Sequence, residues 1–458
     1  MNNIDIINRI KTVENIEGNL RDKFDLSLNP FPKSGIANII DSDDVTGLLV
    51  PAYEETTQKI IEYMQDALSM SGVVRDDKYL SLIIRGDYGT GKTQTLMYIK
   101  YLFGKLRNNK FKPYVVYIDN PGVRLSELIG NILSQIGIEN FRRYLWDMFI
   151  NYLEEKENKD AEDNRKTIFL REIKAIKGKR VVGLFDEQMQ QQEDLTWEKV
   201  SISYKYLLDS FLNGIKSTDQ RTVVSLFKNY LLKCFVSKYE LSTIAEYFYD
   251  IVTDNISVSK SWDQLITGNV KNIDKREFHL LHAIVEIAKK YLDATDFIIL
   301  VDEFEEIAIG RLKDADVDNY LRNLRTLIDK DKNWCSVFAM NGAAYKKIEI
   351  ISPPLASRIG DRKIDLKPLT KDALSRIVAN YLALARIDGS AFTPLYPFSD
   401  DSLFTLLNVK DMSLQGSPRF LLKTCYLLLQ RAAENLERGQ WITEQFVRDN
   451  VREQIKAS

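Results

Sequence analysis

The residues able to do chemistry gather first in one loop. Gly86-Asp87-Tyr88-Gly89-Thr90-Gly91-Lys92-Thr93 reads G-x-x-x-x-G-K-[ST], the phosphate loop of a nucleoside triphosphatase. Such a loop turns backbone N–H groups inward around a polyphosphate, so glycine suits Gly86, Gly89 and Gly91, where backbone must come close or take a positive φ. Lys92 is placed to reach the β- and γ-phosphates and the Thr93 hydroxyl to bind Mg²⁺. Asp87, Tyr88, Thr90 and Gln94 complete the expected nucleotide-binding set, with the positive end of the following helix aimed at the anion.

A second constellation lies far downstream. Phe297-Ile298-Ile299-Leu300-Val301 is a continuous apolar run that ends in Asp302-Glu303. A parallel strand buried on both faces reads this way, with ligands at its carboxyl end. Asp302 is expected to hold Mg²⁺ directly or through water, and Glu303 to polarise the water that attacks the γ-phosphate. Another apolar run, Trp334 to Met340, closes on Asn341, whose side chain could orient that water.

The elements that must position these groups follow from hydrophobic spacing. Leu82-Ile83-Ile84 leads into the loop as a strand, and Leu96, Ile99, Leu102 and Phe103 follow it at helical spacing. Tyr114–Ile118 reads as a second strand, and Leu125, Leu128, Ile129, Ile132, Leu133 and Ile136 then form one helical face. Helices are expected over Glu54 to about Met70, Phe278 to Leu292 and Tyr320 to Ile328, with a fifth strand over Arg362 to Leu369. Strand alternating with helix predicts an α/β fold with a parallel five-stranded sheet. Residues 1–45 are read as an N-terminal arm, because Asn29-Pro30-Phe31-Pro32 favours turn or extended backbone. Residues 138–275 lose the strand signal and are read as a helical insertion, too long for a structureless loop in a compact domain. Val50 and Pro51, just before the first helix, are candidates to lie over a nucleotide base or simply to pack as linker.

Composition narrows the class. The chain has 458 residues and a formal net charge of −2, so a globally basic nucleic-acid coat is absent and any DNA contact must come from a local patch. Arg171, Lys174, Lys177, Lys179 and Arg180 form one basic cluster, readable as a phosphate contact or as a solvated helix end. Cys234, Cys335 and Cys425 are widely spaced, which suits buried thiols in a reducing compartment. His279 and His282 stand three apart on an apolar stretch with no further Cys or His nearby, which favours an ordinary helix face over a metal pair. MNNIDIINRI lacks the pattern of a secretory signal, and no apolar run approaches the ~20 residues that span a bilayer, so the expected location is the cytoplasm and no membrane partner is expected.

The order phosphate loop, Asp-Glu strand, Asn-tipped strand, following Arg, then Gly416-Ser417-Pro418-Arg419 resembles an AAA+ ATPase. The Pro51-x-Tyr-Glu-Glu segment, Ser357-Arg358 and the G-x-P-R lid resemble the initiator-like clade, which includes origin-recognition ATPases, transposition regulators and relatives in phage-defence (antiviral) clusters. The resemblance covers 46–137 and 276–458, with 46–137 and 276–369 as the α/β core and 370–458 as a C-terminal helical lid. It implies ATP and Mg²⁺ as cofactors, Asn341 as sensor 1 and Arg419 as a sensor 2 that touches the γ-phosphate. It also implies Arg358, with Arg362 as rival, as the arginine finger reaching a neighbouring subunit's nucleotide. Arginine suits such posts because its charge is permanent and its fork matches phosphate oxygens. By the same resemblance the chain is expected to be a homo-oligomeric, ATP-hydrolysing switch acting on DNA or a DNA-bound partner. The alternative is a signalling or defence ATPase gating a separate effector protein. The insertion lies outside the resemblance, and no winged-helix segment is expected after the lid, so duplex recognition by this chain alone is not implied. Only Pro121-Gly122-Val123 stands where a protein-unfolding ring would carry an aromatic pore loop, which disfavours that class.

Overall fold

A computed structural model describes residues 17–33, 51, 53–69, 79–108, 110–137, 141, 281–282, 284–286, 288–289, 294–310, 312–330, 333–408 and 416–455. The expected insertion, apart from Phe141, lies outside the described residues, as do Cys234, His279, Val50 and the Arg171–Arg180 cluster.

The core elements are α1 (Glu54–Ser69), β1 (Ser81–Arg85), α2 (Lys92–Lys105), β2 (Pro113–Ile118), α3 (Leu125–Ile136), β3 (Asp296–Val301), α4 (Glu305–Ile309), α5 (Asp314–Lys330), β4 (Cys335–Met340), α6 (Gly342–Ile351), α7 (Pro353–Ile359) and β5 (Lys363–Asp365). The five strands make one sheet in the order β2-β3-β4-β1-β5, and every described pairing in it is parallel. This is the α/β fold with a five-stranded parallel sheet that the sequence predicts. Its central strands β3 and β4 are buried at every position, as their unbroken apolar runs require, whereas the edge strand β2 alternates buried and half-buried.

Alternation divides the sheet's side chains between two faces. Leu82, Ile84, Ile298, Leu300, Val337 and Ala339 pack on one face against Ile60, Tyr63 and Met64 of α1 and Leu96, Ile99 and Phe103 of α2. Ile299, Val301 and Phe338 point the other way, toward Leu128 and Ile132 of α3, Leu281, and Leu324 and Leu327 of α5. Register is therefore fixed on both sides, because a one-residue slip would exchange the two faces. The carboxyl ends of β1, β3 and β4 finish together: Arg85 pairs with Met340, and Val301 with Phe338. The phosphate loop and the acidic pair are thus carried to the same edge.

The segment expected to form the lid, called the lid below, comprises α8 (Lys371–Ala385), α9 (Asp400–Leu407), α10 (Pro418–Asn435) and α11 (Glu444–Ile455). Thr370 caps α8 and Ser399 caps α9 through their side-chain oxygens, and Pro418 opens α10 where its missing N–H costs nothing. Residues 17–33, part of the expected arm, are packed into this lid. Residues 17–24 are helical, and Leu20, Phe24, Leu26 and Phe31 share one apolar cluster with Leu374, Tyr381, Phe398 and Leu428. Asn29 donates to the Tyr426 carbonyl at 2.9 Å, Lys23 to the Ala433 carbonyl at 2.9 Å, and Arg438 to Asp25 at 2.8 Å. Despite its two prolines, the segment buries its apolar side chains on the lid surface.

Tyr53, just ahead of α1, clamps the turn between core and lid. Its hydroxyl donates to the Pro368 carbonyl at 2.5 Å and accepts from the Thr370 N–H at 3.1 Å. Among the described residues no helix is long and apolar enough to cross a membrane.

Candidate functional site

The phosphate loop connects β1 to α2. Gly91 is the N-cap of α2 with φ 96°, a left-handed conformation that favours glycine and turns the first N–H groups of the helix toward the loop's hollow. Gly89 also has positive φ, which strains any other residue, and a Cβ there would fall 2.4 Å from Ser417 Oγ of the lid, so loop and lid touch at this glycine. Lys92 folds back over the loop, donating to the Gly86 carbonyl at 3.0 Å and the Asp87 carbonyl at 3.3 Å. Thr90 braces the turn by donating to the Asp87 carbonyl at 2.8 Å.

The loop meets the acidic strand directly. The Thr93 hydroxyl donates to Asp302 Oδ2 at 2.5 Å, although 209 positions separate the two in sequence. Asp302 is buried, and its carboxylate is held from two further sides: the Tyr117 hydroxyl donates to Oδ2 at 3.1 Å and the Glu303 N–H to Oδ1 at 2.9 Å. Burial, then the Asp302 charge, pushes the Tyr117 hydroxyl far above its ordinary value, so it stays a proton donor to the carboxylate. Glu303 adopts φ 49°, a left-handed conformation rare outside glycine and commonest where function over-determines the backbone. Desolvation, and then repulsion from Asp302, Glu305, Glu306 and Asp119, raises the Glu303 carboxyl above the usual glutamate value. A raised carboxyl is the tuning a general base needs.

These groups surround a cavity of about 480 Å³, lined from the loop, the tips of β2 and β3, and the first turn of α10. That volume lies within the ~300–1,000 Å³ usual for small-molecule sites. Of the expected nucleotide-binding set, Tyr88, Gly89, Gly91, Lys92, Thr93 and Gln94 line it, together with Asp302, Glu303 and Arg419. Gly86 and Asp87 contribute carbonyls beneath Lys92, and Thr90 faces a smaller adjoining cleft with Pro51, Tyr53 and Ile377. Arg419 reaches in from the lid and lies over the Tyr88 ring, 5.2 Å from its centroid. A hydroxyl beside a buried carboxylate is a hard-oxygen donor set, and it suits Mg²⁺, which takes one or two carboxylates plus substrate phosphates.

Besides Gly86, Asp87 and Thr90, three further expected residues stand outside the cavity. Asn341 sits at the carboxyl end of β4, where its Oδ1 accepts from the Ala344 N–H at 2.8 Å and caps α6. Arg358, on α7, pairs with Asp329 at 2.7 Å, and its carbonyl accepts from Ser81 at the opposite, amino end of β1. Arg362 pairs with Asp66, and its carbonyl accepts from the Ile83 N–H at 2.9 Å. Sequence reading missed Tyr117, Asp119, Asn120 and Glu305, all of which line the cavity. The first three stand at or just beyond the end of β2, where the rule that ligands bind at strand carboxyl ends could have found them. Glu305 gave no such signal.

No protein-family model matches the sequence, and no curated protein matches it. Among solved structures the chain is similar to Cdc6p from Pyrobaculum aerophilum, at 13% identity over 87% of this chain and 68% of that one, with a TM-score of 0.39. It is also similar to the Aeropyrum pernix ORC2 protein. For its ADPNP–ADP complexes the figures are 13% identity, 88% and 68% coverage and TM-score 0.41; for its ADP form, 12%, 88% and 69%, and 0.40. These likenesses are distant.

Proposed function

We propose that this chain is an AAA+-type ATPase that binds and hydrolyses ATP as an oligomeric switch. The observation that carries the reading is the 2.5 Å hydrogen bond between Thr93 and Asp302, which joins a glycine-built anion cradle to an acidic strand tip. Loop N–H groups and Lys92 hold the polyphosphate, and the base lies toward the cleft of Pro51, Tyr53 and Ile377. Thr93 and Asp302 would hold Mg²⁺, which would supply positive charge to neutralise the phosphates. Glu303 takes a proton from water as its oxygen attacks the γ-phosphorus; the bond to the β–γ bridging oxygen breaks, and ADP and phosphate leave. Asn341 orients that water, and Arg419 reports the terminal phosphate to the lid. Arg358 or Arg362, both remote from their own chain's cavity, serves the nucleotide of a neighbouring copy.

The action on DNA or on a DNA-bound partner is supported by the initiator-like motifs alone. Phosphate release and sedimentation, measured in ADP and in a non-hydrolysable ATP analogue at low salt, test both parts. The reading expects turnover, larger assemblies with the analogue, and a response to single- or double-stranded DNA. Indifference of both readouts to DNA removes the DNA part, and absence of nucleotide-dependent assembly removes the switch.

A further inference from the structure

Glu305 is the first residue of α4, two positions beyond the proposed water-activating Glu303. Its Oε1 forms an ion pair with Lys92 Nζ at 3.4 Å, and the two side chains are only 18% and 9% exposed. The other oxygen, Oε2, is shielded from solvent and accepts no hydrogen bond among the described residues. Around it the cavity wall carries Asp119, Asp302, Glu303 and Glu305 against two cations, Lys92 and Arg419. The Lys92 ammonium already has two carbonyl acceptors, at Gly86 and Asp87, and Glu305 is its one charged partner among the described contacts.

A phosphate oxygen that takes up Lys92 must displace one of these acceptors. Displacing Glu305 leaves a shielded carboxylate without its counter-charge beside an incoming polyanion, which is the costly case for a buried ion pair. We infer that Glu305 is an affinity-setting residue that competes with the nucleotide's β- and γ-phosphates for Lys92. The inference rests on the proposed role of Lys92 in phosphate binding. Glu305 thereby loosens the hold on di- and triphosphates and allows the site to release its product.

Equilibrium titration of the full chain with ATP, ADP and AMP, each with Mg²⁺, tests it. Glu305→Gln removes the charge at constant shape and is expected to tighten ATP and ADP about tenfold, while AMP changes by less than about twofold. Glu305→Asp keeps the charge but draws it back by one methylene, and is expected to tighten ATP by a smaller factor. Thermal melts without nucleotide check that each variant is folded. Unchanged or weaker ATP binding by a folded Glu305→Gln overturns the inference, and so does an equal gain for AMP, which would mark general repulsion rather than competition for Lys92. Wild-type chain that binds neither ATP nor ADP overturns the reading of the site itself, a result distinct from either.

Discussion

Arg419, on the first turn of the lid helix α10, lies over the ring of Tyr88 in the phosphate loop and donates to its hydroxyl. Tyr88 is 75% exposed, so this contact owes little to burial; it ties helix α10 to the loop of residues 86–93. Arg419→Ala is expected to lower ATP turnover by on the order of tenfold or more, as removal of one preorganised charge donor does elsewhere. Nucleotide affinity should change less, because the cradle of backbone N–H groups is intact. Tyr88→Phe keeps the ring under the guanidinium and is expected to stay near wild type, whereas Tyr88→Ala should speed amide hydrogen exchange over residues 416–420. Equal exchange in wild type and Tyr88→Ala would show that the stack does not restrain the lid.

Lys92 is buried and, on this reading, its ammonium is the side-chain cation nearest the polyphosphate. Lys92→Ala should weaken ATP binding by about 2–3 kcal/mol, on the order of a hundredfold, and should also lower the melting temperature without nucleotide, because it leaves the shielded Glu305 carboxylate without its counter-charge. Calorimetric titration measures the first and a thermal melt the second.

Glu303 offers a test with two signs. Desolvation raises its carboxyl, so the ionised form needed for proton abstraction is lost at a higher pH than for an ordinary glutamate, and the acid limb of the turnover profile should be displaced upward accordingly. For stability, a carboxyl raised in the fold binds a proton more readily folded than unfolded, so its contribution is most favourable in acid and is lost as pH rises through the raised value. Glu303→Gln removes that penalty and relieves repulsion from Asp302, so the variant should melt higher than wild type near neutral pH while hydrolysing ATP far more slowly. Wild-type turnover by Glu303→Gln would reassign the water-activating role.

The lid core supplies a prediction about domain organisation. Phe24 is fully buried between the helical residues 17–24 and the lid, edge-on to Tyr396 with ring centroids 5.8 Å apart. Phe24→Ala should destabilise the protein by about 3–5 kcal/mol. Deletion of residues 1–33 should do so more severely, because it removes residues 17–33, which pack on the lid from the far end of the sequence. A melt unchanged by either alteration would show that the lid folds without this segment.

The sheet was legible because its strands are local patterns, and the two motifs proposed to form the phosphate site are local patterns too. Unbroken apolar runs mark β3 and β4, and a fixed glycine–lysine spacing marks the loop. Sheet order, and hence the meeting of Thr93 with Asp302, could be expected only from the pairing of two such patterns. Residues 17–33 were read as an arm because prolines and short polar runs are local signals, while their burial depends on lid helices more than 300 positions away. Tyr117 and Glu305 escaped notice for a similar reason: a tyrosine in a strand and a glutamate in a short helix are ordinary until another element approaches. Asn341 stands at the strand tip where a water-orienting side chain is expected, and its described bond is the cap of α6.

The most direct test of the account is a structure of the full chain with Mg²⁺ and a non-hydrolysable ATP analogue. The γ-phosphate is expected in contact with Lys92 and Arg419, the cation against Thr93 and Asp302, and the Glu303 carboxylate facing the terminal phosphate. Saturating analogue bound away from residues 86–93, or a loop that stays closed over Asp302 with no nucleotide in the cavity, would contradict it.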